Sequence, residues 1–119
     1  MSGQILLVED DDAVATSLSR LLRAAGHPCT RVADAEQAIQ YLTRDLPRFI
    51  VSDLNMPGMD GMSFLKRVRA DARTLAVPFV IYTASCDLDR EDDFLQAGAT
   101  ACCSKYEPEE LLRLIAEIR

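Results

Sequence analysis

Four groups in this chain could do chemistry together: Glu9-Asp10-Asp11, Asp53, Thr83 and Lys105. Asp53 is the clearest. It follows the apolar run Phe49-Ile50-Val51-Ser52 and precedes Leu54-Asn55-Met56-Pro57-Gly58, so a buried strand delivers a carboxylate to its end and a Pro/Gly turn carries the chain away. An ionised carboxylate is costly in a core unless it is paired or metal-bound. At the rim of an α/β sheet it makes sense as a reactive or metal-binding group. Clustered carboxylates repel unless a cation neutralises them. An all-oxygen set suits Mg²⁺, which keeps several waters and binds through one or two carboxylates plus phosphate oxygens. The Lys105 amine and the Thr83 hydroxyl suit the remaining phosphoryl oxygens. Such a set is built for phosphoryl transfer, with Asp53 as the nucleophile that forms an acyl phosphate.

The elements that must position these residues alternate as strand and helix five times. Ile5-Leu6-Leu7-Val8 is a short apolar run suited to a fully buried strand. A helix follows, with Val14, Leu18, Leu21, Leu22 and Ala25 at helical spacing, Asp11 or Asp12 at its start and Gly26 at its end. Residues 28–32 form a weaker second strand. Ala35, Ala38, Ile39 and Leu42 mark a second helix that stops before Pro47. Residues 48–53 are the third strand, and Met62, Phe64, Leu65 and Val68 mark the third helix. The fourth strand runs over 77–83, a short acidic helix over 88–97, and the fifth strand over 100–104. Pro108 fits the first position of a last helix carrying Leu111, Leu112, Ile115 and Ile118. Five such repeats predict an α/β fold, a doubly wound five-stranded parallel sheet covered by helices on both faces. Right-handed crossovers then bring the C-terminal strand ends, and so all four groups, to one edge.

A chain of 119 residues is the length of one domain, expected to span 1–119. Its net charge of −6, from 19 acidic and 13 basic residues, disfavours direct binding to nucleic acid or to an anionic membrane. There is no apolar run of membrane-spanning length and no signal-peptide pattern at the start, so a cytoplasmic location is expected. Cys29, Cys86, Cys102 and Cys103 form no C-x-x-C pair, and His27 is the only histidine, which argues against a zinc site. All four are expected as free thiols, with Cys102 and Cys103 on opposite faces of a strand. Asp11 and Asp12 read as helix N-terminal acids, and the acidic run from Asp87 to Asp93 as a solvated helix face.

The stretches Leu6-Leu7-Val8-Glu9-Asp10-Asp11, Val51-Ser52-Asp53-Leu54-Asn55-Met56-Pro57-Gly58-Met59-Asp60-Gly61, Tyr82-Thr83-Ala84 and Ser104-Lys105 together closely resemble the response-regulator receiver domains of bacterial two-component systems, of the stand-alone, chemotaxis-regulator-like kind. The resemblance runs from Ile5 to Ile118. It implies a flavodoxin-like strand order 2-1-3-4-5. It also implies a phospho-accepting signalling switch rather than a multiple-turnover enzyme. Asp53 would accept a phosphoryl group from a histidine kinase or phosphotransfer protein, in a Mg²⁺-dependent reaction. Asp10 and Asp53 would bind Mg²⁺ directly, Glu9 through water, and Asn55 through its backbone carbonyl. Thr83 and Lys105 would hold the phosphoryl oxygens, and the small Ala84 leaves room for them. The output would be an unknown downstream protein, reached by binding.

Two positions depart from that family. Receivers usually carry proline after the lysine, joined by a cis bond; here Tyr106 follows Lys105, which predicts a trans bond and an altered loop, because a cis bond before a non-proline residue costs about 2.5–4 kcal/mol. The family's aromatic residue three positions before the lysine is replaced by Cys102, so ring switching at that position is absent, and Tyr106 or Tyr82 would have to take its place. Asn55 and Ser85, at positions flanking the phosphoryl group, are expected to give no strong acceleration of its loss. These departures favour an alternative, a receiver-like interaction module that is never phosphorylated; the intact set Asp10, Asp53, Thr83 and Lys105 argues against it. An aspartate-nucleophile phosphatase would want a second acid where Asn55 stands, and a dinucleotide-binding fold lacks its G-x-G-x-x-G.

Overall fold

The computed structural model describes residues 3–84 and 87–118. The strands are β1 (Ile5–Val8), β2 (Cys29–Val32), β3 (Phe49–Ser52), β4 (Phe79–Thr83) and β5 (Ala101–Ser104). Between and after them lie α1 (Asp12–Ala24), α2 (Ala35–Leu42), α3 (Gly61–Ala70), α4 (Leu88–Gln96) and α5 (Pro108–Glu117). The five strands form one parallel sheet in the order β2-β1-β3-β4-β5. The central strands are apolar on both faces because helices cover both. Leu6, Val8, Ile50, Phe79, Ile81 and Cys102 face a core completed by α2, α3 and Phe94 of α4. Ile5, Leu7, Phe49, Val51, Val80, Tyr82 and Cys103 face the other core, completed by α1 and α5. This alternation is the period of two of a pleated strand. Phe64 and Phe79 meet in a tilted pair with centroids 5.5 Å apart, a geometry worth about 0.5–1.5 kcal/mol beyond burial.

Four helices begin on an aspartate whose side chain accepts a backbone N–H three residues on: Asp11 from Val14, Asp34 from Gln37, Asp60 from Ser63 and Asp87 from Arg90. Asp11 is thus a cap, as its position suggests, and Asp12 is in the first turn. The apolar stripe of α1 is narrower than its sequence implies. Ala15, Leu18 and Leu22 are buried, whereas Leu21 is 41% exposed and Ala25 is exposed too. Those two lie off the row that faces the sheet. α2 ends at Leu42, well short of Pro47, on a Thr43 cap.

Cys29 and Cys103 are free and buried, and Cys102 and Cys103 do face opposite cores. Cys102, however, is disulfide-bonded, which corrects the expectation of free thiols throughout. Spacing carries no signal for a bond closed by tertiary structure. Ser85 and Cys86 lie outside the described residues. No helix among the described residues is long and apolar enough to cross a membrane.

Candidate functional site

The site follows from strand register. Val8 pairs with Ser52, so Glu9 and Asp53 are the first residues beyond two adjacent strands, and the Asp53 N–H donates to the Val8 carbonyl at 2.9 Å. On the other side Thr83 pairs with Ser104, and the Lys105 N–H donates to the Thr83 carbonyl at 3.0 Å. Four neighbouring strand ends therefore place Glu9, Asp53, Thr83 and Lys105 along one edge. Glu9, Asp53 and Thr83 are buried, and Asp10 beside them is exposed.

Carboxylate oxygens of Glu9, Asp10 and Asp53 lie within 4.8 Å of one another. Lys105 Nζ enters this cluster, 2.8 Å from Glu9 Oε1 and 3.2 Å from Asp53 Oδ1. The approach to Glu9 has the distance of a hydrogen bond but not its alignment, so the buried Oε1 has a charged neighbour and no aligned donor. Burial pushes the Glu9 carboxyl above the usual range, with Lys105 and the Asp11 N–H pulling the other way and Asp53 adding to the rise. For Lys105, burial works to lower the ammonium's pKa, but Glu9 and Asp53 outweigh it and hold it above the ordinary lysine value.

These residues fit a hard divalent cation. The donors are all oxygen, three carboxylates come within 4.8 Å of one another, and one buried carboxylate oxygen lacks an aligned donor. Asn55 stands two residues beyond Asp53 in the loop toward α3, its side chain exposed.

Three residues support the site, two of which, Arg31 and Glu36, carry no signal in the sequence, while Gly61 reads there as a turn residue. Arg31 of β2 donates from Nε to the Glu9 carbonyl at 2.9 Å and pairs with Asp12 at 2.9 Å, holding the acidic turn from below. Glu36 of α2 accepts the Met59 N–H at 3.3 Å and steadies the turn around Gly58, whose φ is +79°. Gly61 opens α3 directly against Asp53: a Cβ there would lie 2.3 Å from the Asp53 carbonyl oxygen and 2.9 Å from Leu54 Cα. Gly61 therefore permits a close approach that fixes the backbone under Asp53, rather than merely a turn.

The loop after β5 is built without a cis bond: every peptide bond among the described residues is trans, Lys105–Tyr106 included. The Tyr106 and Glu107 N–H groups turn back to Ser104, onto its Oγ at 3.1 Å and its carbonyl at 3.0 Å. Tyr106 is 78% exposed, and Tyr82 is buried on the opposite face of the sheet from Cys102. Neither ring occupies the place of Cys102.

Residues 5–117 match the family model described as the response regulator receiver domain. Among curated relatives, the response regulator protein FleR of Pseudomonas aeruginosa is 38% identical over 98% of this chain, which spans 24% of FleR's length. Among solved structures, the chemotaxis response regulator CheY4 of Vibrio cholerae superposes with a TM-score of 0.90 at 27% identity, covering all of both chains. The receiver domain of the sensor histidine kinase PA1611 of P. aeruginosa gives 0.87 at 31% identity, over 99% of this chain and 98% of its own; that protein holds a magnesium ion in its active-site cleft.

Proposed function

Because this chain belongs to the response regulator receiver domain family of two-component systems, we propose that residues 1–119 act as one phospho-accepting domain with Asp53 as the acceptor. Members of that family are signalling switches for which phosphorylation and a magnesium ion are general properties. The observation that carries the reading here is the meeting of Glu9, Asp10 and Asp53 within 4.8 Å, with Lys105 Nζ 3.2 Å from Asp53.

Asp10 and Asp53 would hold Mg²⁺ directly, Glu9 through water and Asn55 through its backbone carbonyl. The bound ion supplies positive charge against the repulsion between a carboxylate and an incoming phosphoryl group. A carboxylate oxygen of Asp53 attacks phosphorus while the phosphorus–nitrogen bond of a donor phosphohistidine breaks, and the imidazole keeps the electron pair and takes up a proton. Lys105 moves its charge onto a phosphoryl oxygen, and Thr83 donates to another. The Lys105 ammonium thus changes partner on phosphorylation and the Thr83 hydroxyl gains a charged one, which gives the differential interaction a switch requires. The donor is a histidine kinase or phosphotransfer protein, and the output is a downstream protein reached by binding.

The test is intact-protein mass after incubation with acetyl phosphate, with and without Mg²⁺, beside Asp53→Ala. A Mg²⁺-dependent gain of one phosphoryl group, lost in the variant, is expected. A folded protein that binds Mg²⁺ and gains nothing would be an interaction module instead, as the departures at Tyr106 and Cys102 would favour.

A further inference from the structure

We propose that the groove between α1 and β2 is a binding site for a small phosphomonoester. The groove holds about 370 Å³ and is lined by Ala15, Thr16, Ser19, Arg20, Arg23 and Arg31. It lies outside the acidic cluster at the strand ends and shares only Arg31 with the supports of that cluster.

Three cations gather on this groove in a chain of net charge −6, and no carboxylate lines it. Thr16, Ser19, Arg20 and Arg23 stand at i, i+3, i+4 and i+7, so they share one face of α1. Arg31 comes from β2, two residues after Cys29, on the side of the sheet that α1 covers. Among the described residues the ion pairs involve Arg31, Lys105 and Arg113, so Arg20 and Arg23 have no carboxylate partner. Arg23 is nevertheless held in place, its Nη2 donating to the Cys29 carbonyl at 3.0 Å. Arg31 gives Nε to the Glu9 carbonyl and Nη1 to Asp12, while its Nη2 is buried without a hydrogen-bond partner. A buried donor left so costs about 1–3 kcal/mol. A small rotation of this guanidinium toward an anion in the groove would give Nη2 the acceptor that it lacks.

The donors fit a phosphate better than a carboxylate. A phosphomonoester carries a charge of about −1.5 to −2 at pH 7 and three acceptor oxygens. That matches the two unpaired guanidiniums of Arg20 and Arg23, with the hydroxyls of Thr16 and Ser19 for a further oxygen. The groove also falls within the size of small-molecule sites, about 300–1,000 Å³, so it has room for an organic group beyond the phosphate. Ala15 and the aliphatic stems of the arginines supply walls for that group. Inorganic phosphate would leave this space to water.

This inference does not depend on Asp53 being phosphorylated. The full chain is titrated without Mg²⁺ with glycerol 3-phosphate, glycerol and inorganic phosphate in turn, and backbone amide shifts are followed by NMR. Saturable shifts over residues 16–23 and 29–32 are expected with glycerol 3-phosphate and none with glycerol. Inorganic phosphate should bind several-fold more weakly. Arg20→Gln removes an unpaired cation from an exposed position and should weaken binding about tenfold. Asp12→Asn frees Arg31 of its carboxylate partner and should tighten binding several-fold. The absence of saturable binding to the folded chain would overturn the proposal. So would shifts centred on Asp53 and Lys105, equal affinity for inorganic phosphate, or unchanged affinity in either variant.

Discussion

Lys105 reaches along the sheet edge to Asp53, its Nζ 3.2 Å from Oδ1, and the same ammonium lies 2.8 Å from Glu9 Oε1. One cation therefore holds together two buried carboxylates that would otherwise repel. Lys105→Met leaves them unpaired, and the expected loss of stability without Mg²⁺ is about 3 kcal/mol by chemical denaturation, partly restored when Mg²⁺ is added. Removing a competing positive charge should also tighten Mg²⁺ binding several-fold by calorimetry. The rate of Asp53 phosphorylation should still fall by about a hundredfold, because a preorganised positive group is lost. Unchanged stability would show that the ion pair does not hold these carboxylates.

Gly61→Ala tests the support beneath Asp53. The new Cβ would meet backbone atoms of residues 53 and 54, which cannot turn aside as a flexible side chain would. Either α3 or the Asp53 loop must shift, at an expected cost of about 3 kcal/mol. Mg²⁺ affinity should fall with it, although every carboxylate is retained. Wild-type stability together with wild-type affinity would show that the approach of α3 does not set the position of Asp53.

The contrast between Lys105 and Gly61 marks how far the sequence could be read. Glu9, Asp53, Thr83 and Lys105 were legible because each follows an apolar run, and parallel strands with right-handed crossovers leave their C-terminal ends on one edge. Strand order was expected from the resemblance and appears as β2-β1-β3-β4-β5. Arg31 and Glu36 were not legible, because their partners lie in other elements and nothing in their local spacing marks a long-range contact; Gly61 stands in a stretch that carries the resemblance, but its close approach to Asp53 does not show in the sequence. Helical spacing places Leu21 with the apolar residues of α1, but periodicity fixes a face only to within about one residue's rotation, and Leu21 is exposed. The bonding of Cys102 escaped for the same reason as Arg31: tertiary structure sets it, and sequence spacing does not.

Cys103 gives a pH-dependent prediction. Burial first, and the nearby Glu110, Glu91 and Glu107 in addition, push its thiol up to about 11 from an ordinary 9.0. At pH 8 the thiolate, which is the reactive form, should be about a hundredfold scarcer than in the unfolded chain. Iodoacetamide should label Cys103 in the native protein slower by at least that factor. The sign for stability follows. Between pH 9 and 11 the unfolded chain loses this proton and the folded one keeps it, so the contribution is full below pH 9 and declines as pH rises toward 11. Rapid native labelling at pH 8 would show that the thiol is neither buried nor shifted.

A substitution at Leu21 is expected to separate a protein donor from a small one. It is 41% exposed and lines a groove of about 280 Å³ with Val14, Leu18, Tyr82, Pro108 and Lys105. Lys105 links this groove to Asp53, so a helix presenting a phosphohistidine to Asp53 would find an apolar foothold there. A small donor such as acetyl phosphate needs only the carboxylates and the ammonium. Leu21→Asp removes the apolar contact and adds charge, but its position on the outer side of α1 leaves the core intact. Burying one leucine side chain at an interface contributes about 2 kcal/mol, so transfer from a phosphorylated histidine phosphotransfer domain should slow by about tenfold or more. The rate with acetyl phosphate should stay within twofold of the unsubstituted protein. Equal slowing with both donors would place the defect at Asp53 itself, and no slowing with either would put the donor's contact elsewhere on the surface.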